Sequence, residues 1–164
     1  MTDRSQEPSP STAGAPAVPG APVLWTLRPA TGDDALWMAE LRAVVMRPDL
    51  ERLGRYDSHR VRQRFLDAYR AEHTQVVEVD GEPVGLFAVR PEPEERWFEH
   101  LYLRSDLQGR GLGGQLLVHA LGGDDDPRPF RLNVLQGSAA RRLYERHGFV
   151  VEHEDAVDVW MIRS

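Results

Sequence analysis

The chain is 164 residues long, and its 41% hydrophobic and 28% charged residues are the proportions of a soluble globular protein. Its net charge of −6, from 20 basic against 26 acidic residues, argues against phosphate-driven binding of nucleic acid. Cysteine and lysine are both absent, all 20 basic residues being arginine, which excludes disulfide scaffolds, thiolate metal sites, Schiff bases and the lysine of a phosphate loop.

Residues 1–22 carry five prolines among Ser, Thr, Ala and Gly and are expected to form a disordered tail, because they bury too little apolar surface to offset ordering entropy. Nothing in this segment has the basic start and apolar core of a secretory signal, and no run approaches a membrane span. A soluble, cytoplasmic protein is expected, with one domain over residues 23–164.

Val23 to Arg28 reads as a strand, and Asp33 or Asp34 can cap a helix bearing Leu36, Trp37, Leu41, Val44 and Val45. Pro48 is expected to break that helix, and Ser58 to cap a second one with Val61 and Phe65 on its buried side. Gln75–Asp80 and Pro83–Arg90 flank Gly81-Glu82 as a hairpin. A third β segment spans Arg96–Leu103. A glycine-rich loop follows and opens a helix with Leu112, Leu116, Leu117 and Ala120 on one face. Phe130–Leu135 is a strand and Gly137–His147 a short helix stopped by Gly148, before strands at Phe149–His153 and Val157–Ile162. Hairpins flanking one crossover unit predict a mixed α/β sheet with helices on its faces.

The loop Gln108-Gly-Arg-Gly-Leu-Gly-Gly114 carries the clearest chemistry. Its glycines let backbone N–H groups close on a phosphate, the helix N-terminus adds its dipole, and Arg110 adds a charge. Gly109, Gly111 and Gly114 also satisfy the G-x-G-x-x-G dinucleotide fingerprint. Three features oppose that reading. The preceding strand carries Glu99 and His100, no acid ends the next strand, and about 50 residues are too few to complete a doubly wound sheet.

Gln108-Gly-Arg-Gly-Leu-Gly113 resembles the Q/R-x-x-G-x-G/A acetyl-CoA motif of the GNAT family of N-acetyltransferases. Ala140-Arg-Arg-Leu-Tyr144-Glu-Arg-His-Gly148-Phe149 is similar to that family's A-x-x-L-Y-E-K-x-G-F element. The resemblance covers residues 23–163. It implies a sheet of about seven strands with about four helices, splayed between the fourth and fifth strands. It also implies transfer of an acetyl group from acetyl-CoA, without a metal, to a small-molecule or peptide amine. The cofactor residues it implies are Leu101, Tyr102 and Leu103 on the strand, Gln108, Gly109, Arg110, Gly111, Leu112, Gly113 and Gly114 in the loop, and Ser138 and Arg141 by the second motif. Tyr144 matches the family tyrosine that protonates the departing thiolate, and a phenol with pKa of about 10 suits that task. Glu99 is the first candidate to take the amine's proton and His100 the second, with strand alternation placing Glu99 on the face of Leu101 and His100 opposite.

Two departures stand out. Gly137 occupies a position where many members place a cofactor-contacting Asn, leaving Asn133 and Ser138 nearby, and Arg146 replaces a Lys. For the acceptor, Arg47, Arg52 and Arg55 could hold a carboxylate, while Asp49, Glu51 and Asp57 could hold an amine. A non-catalytic acyl-CoA sensor is the alternative function. Pairing of terminal strands between subunits, frequent in this fold, suggests a homodimer with no nucleic acid or membrane partner.

Overall fold

The computed structural model describes residues 22–123 and 125–164, so the expected tail falls, but for Pro22, outside the described residues. Among the described residues seven strands form one sheet in the order β1-β2-β3-β4-β5-β7-β6, and four α-helices cover its two faces. The strands are β1 (Thr26–Pro29), β2 (Thr74–Val79), β3 (Glu82–Pro91), β4 (Arg96–Leu103), β5 (Phe130–Leu135), β6 (Val150–Glu154) and β7 (Asp158–Arg163). The helices are α1 (Ala35–Arg52), α2 (Ser58–Ala68), α3 (Leu112–Leu121) and α4 (Ala140–Arg146). This is the mixed α/β architecture expected, with β4-α3-β5 as its crossover. Among the described residues no helix is long and apolar enough to cross a membrane.

The sheet separates two apolar clusters. One gathers Val77, Phe87, Phe98, Leu103, Leu112, Leu116, Phe130, Tyr144, Phe149 and Met161, which places α3 and α4 on its side. The other joins Met38 and Ala39 of α1 and Phe65 of α2 to Val76 and Leu86 of the sheet. Every pair is antiparallel except β4–β5, which is parallel and spans only Arg96↔Phe130 and Trp97↔Arg131. Beyond Trp97 the two strands diverge, opening the sheet at the expected place. Arg96 holds the closed end. It is buried, lies 3.9 Å from the Phe130 ring centroid, and donates to the carbonyls of Asp126 and Arg128.

Three local expectations are corrected. Helix α1 runs through Pro48 instead of ending there. Proline removes only the bond to the Val44 carbonyl, and Val44 is 59% exposed, so water can take that acceptor. The cap of α2 is Asp57, whose carboxylate accepts from the N–H groups of His59 and Arg60, and not Ser58. The hairpin turn sits one residue earlier, at Asp80-Gly81, both with positive φ as a type I′ turn requires.

Candidate functional site

Strand alternation fails inside β4, and the failure shapes the site. Leu86 and Ala88 of β3 pair with Tyr102 and Glu99, so two residues of β4, His100 and Leu101, stand against Phe87 alone. His100 takes up the extra residue with φ of 58°, a left-handed conformation uncommon outside glycine. This bulge puts Glu99, His100 and Tyr102 together on the α1/α2 side, while Phe98, Leu101 and Leu103 face the other cluster. The expected sharing of a face by Glu99 and Leu101, with His100 opposite, is therefore corrected.

Between the diverging strands lies a cavity of about 660 Å³. Of the catalytic and cofactor residues expected from the sequence, Glu99, His100, Leu101, Tyr102, Ser138 and Tyr144 line it. Tyr144 is buried on α4, edge-on to Phe98 and Phe149, and burial pushes its phenol well above the usual range, so it stays a proton donor at neutral pH. Glu99 Oε1 accepts from Arg90 at 2.9 Å, leaving Oε2 at 4.0 Å from His100 Nε2. The His100 ring packs 5.1 Å from Phe65, and burial lowers its pKa to about 4. The Tyr102 hydroxyl lies 3.3 Å from His100 Nδ1.

The glycine loop lies where β4 passes into α3. Gln108 Nε2 ties it to the Leu103 carbonyl at 2.9 Å. Gly111 is the N-terminal flank of α3 with φ of 81°, and a Cβ built there or at Gly109 would meet nothing within 4 Å. The first-turn N–H groups have no partner within the helix, and no side chain crowds Gly109 or Gly111 beside them. Leu112 is buried, so only its backbone can serve a ligand, and the Cβ positions of Gly113 and Gly114 lie in van der Waals reach of Leu143. Arg141 pairs with Glu145 and Glu154 and does not line the cavity.

Gly137 has φ of 73°, and a Cβ there would lie 2.8 Å from Arg52 Nη1. Arg52 reaches from the end of α1 to the Gln136 carbonyl, so α1 and the loop after β5 meet across the opening. An asparagine side chain at 137 would strike this guanidinium. Asn133 lines the cavity and donates to Asp158, and Ser138 Oγ accepts from the Ala140 N–H.

Of the arginines considered for the acceptor, Arg47 pairs with Glu51 and Arg52 with Asp49, and only Arg55 lines the cavity. Sequence reasoning missed Arg42, Arg60 and Arg64, which also line it. The i, i+4 repeat of Arg60 and Arg64 around apolar Val61 and Phe65 was the available signal. Among the described residues no cluster of His, Asp or Glu is placed to hold a metal ion.

Comparison with known proteins agrees with this geometry. The fold is similar to the PaiA N-acetyltransferase of Thermoplasma acidophilum solved in complex with coenzyme A. That match has a TM-score of 0.67 and 18% identity, over 86% of this chain and 99% of that one. An acetyltransferase of Thermus thermophilus matches with a TM-score of 0.67 and 24% identity, over 87% and 99%. N-acetylglutamate synthase of Neisseria gonorrhoeae, complexed with coenzyme A and N-acetyl-glutamate, matches at 0.58 and 17%, over 87% of this chain and 35% of its own. No curated protein matches by sequence. The acetyltransferase (GNAT) domain model matches residues 70–151, from the start of the β2–β3 hairpin through the glycine loop and Tyr144. The matched residues make up half of the chain, and the chain belongs to the GNAT acetyltransferase family.

Proposed function

We propose that the protein moves an acetyl group from acetyl-CoA to the amine of a small molecule or peptide, by direct attack in a ternary complex. The observation that carries this reading is the sharing of one cavity by the Tyr144 phenol and the β4 edge left free by the splay. Acetyl-CoA supplies the thioester. The N–H groups of Gly109 to Gly114 would hold its pyrophosphate, and the main chain of Leu101 to Leu103 would pair with the pantetheine arm as an added strand. A backbone N–H of Leu101 or Leu103 would stabilise negative charge on the acyl oxygen.

Side chains manage the protons. As the N–C bond forms and the C–S bond breaks, Glu99 Oε2 accepts the proton the amine gives up, directly or through water. Arg90 holds the other carboxylate oxygen in place. Tyr144 donates its proton to the departing thiolate and recovers one from solvent. His100, with a pKa of about 4, is a weak base at neutral pH and serves Glu99 as a neutral neighbour.

Calorimetry with acetyl-CoA, and NAD as control, tests the cofactor. Release of free CoA thiol with a panel of amines tests turnover, and the cysteine-free chain contributes no background. The expected result is binding of acetyl-CoA alone and amine-dependent CoA release. Binding without release from any amine would identify a sensor instead, and binding of NAD would return the dinucleotide reading.

A further inference from the structure

The α1/α2 side of the cavity is walled by arginine. Arg42 comes from α1, Arg55 from the α1–α2 connection, and Arg60 and Arg64 from α2. Among the described residues none of these four forms an ion pair with a carboxylate, whereas Arg47, Arg52, Arg62 and Arg90 around them each do. The acids that share the cavity have partners of their own, and Asp155 also feels the charge of Arg55. Asp49 holds Arg52, Glu99 holds Arg90, Asp158 accepts from Asn133, and one oxygen of Asp155 accepts the N–H groups of Val157 and Asp158.

Arg55, Arg60 and Arg64 are exposed and Arg42 is half-buried, so water solvates these charges where no carboxylate pairs with them. Acids outnumber bases by 26 to 20, so unpaired guanidinium groups are not forced by composition. Arg60 and Arg64 stand one helical turn apart, a spacing at which like charges repel. Arg42 crosses from α1 to donate to the carbonyl of Val61 at 2.9 Å, the residue beside Arg60, and its charge also reaches the Tyr102 phenol. Three guanidinium groups thus converge on one wall, and their planar forks match the oxygen pairs of a carboxylate or a phosphate.

We propose that the acceptor is an amine carrying a carboxylate or phosphate on the same molecule, held by Arg42, Arg60 and Arg64 so that its amino group faces Glu99. The inference rests on the acetyltransferase reading and names its substrate class. The oxyanion is the shared chemistry, and Arg55 adds its charge to the same cavity.

Two measurements test it separately from turnover. Glutarate and inorganic phosphate are titrated into the protein without acetyl-CoA, and into the double variant R60Q/R64Q. Saturable binding of either probe, weakened at least about tenfold in the variant, is expected for charge-assisted contacts. Absence of saturable binding, or binding unaltered in R60Q/R64Q, overturns the inference even when acetyl-CoA binds. The second measurement compares kcat/KM within matched pairs: γ-aminobutyrate against butylamine, and O-phosphoethanolamine against ethanolamine. The anionic member of one pair should win by at least about tenfold, which also tells carboxylate from phosphate, and the ratio should collapse in R60Q/R64Q. R64E should shift the preference toward spermidine. A preference for neutral amines or spermidine that survives R60Q/R64Q overturns the inference. Silence toward acetyl-CoA would instead strike the acetyltransferase reading, leaving the anion titration to stand or fall alone.

Discussion

The two sides of β4 offer a ligand different chemistry. Toward α3 and α4 its side chains pack as core, leaving its free edge and the glycine loop to offer main chain. Toward α1 and α2 it presents Glu99, His100 and Tyr102 to a wall of arginines. A ligand bound by backbone demands glycines and a fixed strand-to-helix turn, so that side is written in a short motif. A ligand bound by side chains places few demands on local conformation, so the other side is scattered over several elements, with the i, i+4 pair Arg60 and Arg64 as its local pattern.

The comparison breaks first at Tyr144, which stands on the motif-bearing side yet is assigned chemistry. Tyr144→Phe keeps the ring that touches Phe98 and Phe149 and removes only the hydroxyl. CoA release should fall about 100-fold or more, with acetyl-CoA affinity by calorimetry unchanged. Undiminished turnover would make Tyr144 a packing residue and leave all proton transfer to the opposite side.

His100 sharpens the comparison through pH. Its pKa falls from an ordinary 6.5 to about 4 because it is buried, with Arg42 and Arg90 opposing its charge and Glu99 favouring it. Between those values the unfolded chain binds a proton that the folded one refuses, so stability drops as pH falls from 6.5 toward 4. The loss amounts to about 3 kcal/mol at the acid end. Urea denaturation across this range should show a slope that His100→Asn flattens, asparagine being a residue that tolerates positive φ. Equal slopes in both proteins would mean that the imidazole charges freely where it sits.

Most of the architecture was legible because apolar period and turn residues agree with it. β4 and β5 have the bounds their residues imply, and Gly148 ends α4 with φ of 89°. The β4 bulge was not legible. A histidine with positive φ carries no residue signature, and the bulge is what turns Glu99 and His100 to one side. Pro48 misled because propensity counts the lost hydrogen bond without knowing that its acceptor faces water. The cavity arginines were harder to read because the cavity is a tertiary feature. The Arg47–Glu51 pair is already an i, i+4 spacing in the sequence, whereas only the fold brings Arg42, Arg60 and Arg64 to one cavity.

Gly137 joins the two sides, and its replacement should have a moderate effect. With φ of 73°, Gly137→Ala forces a side chain into a left-handed conformation, at a cost of about 1–2 kcal/mol. The new Cβ also meets the end of Arg52, a flexible side chain that can swing away and give up the Gln136 carbonyl. A lower melting temperature is expected, together with a raised KM for the amine as the tie between α1 and the loop after β5 loosens. A lower melting temperature with unaltered KM would show that the Arg52 contact does not shape the acceptor end.

The smallest effect is expected at Arg47, and its smallness is informative. Arg47 lies on α1 one turn before Glu51, and their side chains are 59% and 51% exposed. Water screens such a pair, and holding two long side chains together costs entropy, so Arg47→Ala should leave stability almost unchanged. Its stacking over Tyr56 at 4.8 Å is the contact that could enlarge the effect. Because Arg47 already has a carboxylate and lies outside the cavity wall, its removal should leave the preference between γ-aminobutyrate and butylamine where it was. A shift of that preference in Arg47→Ala equal to the one in R60Q/R64Q would show that net charge on α1 and α2, and not the convergence of particular guanidinium groups, selects the acceptor.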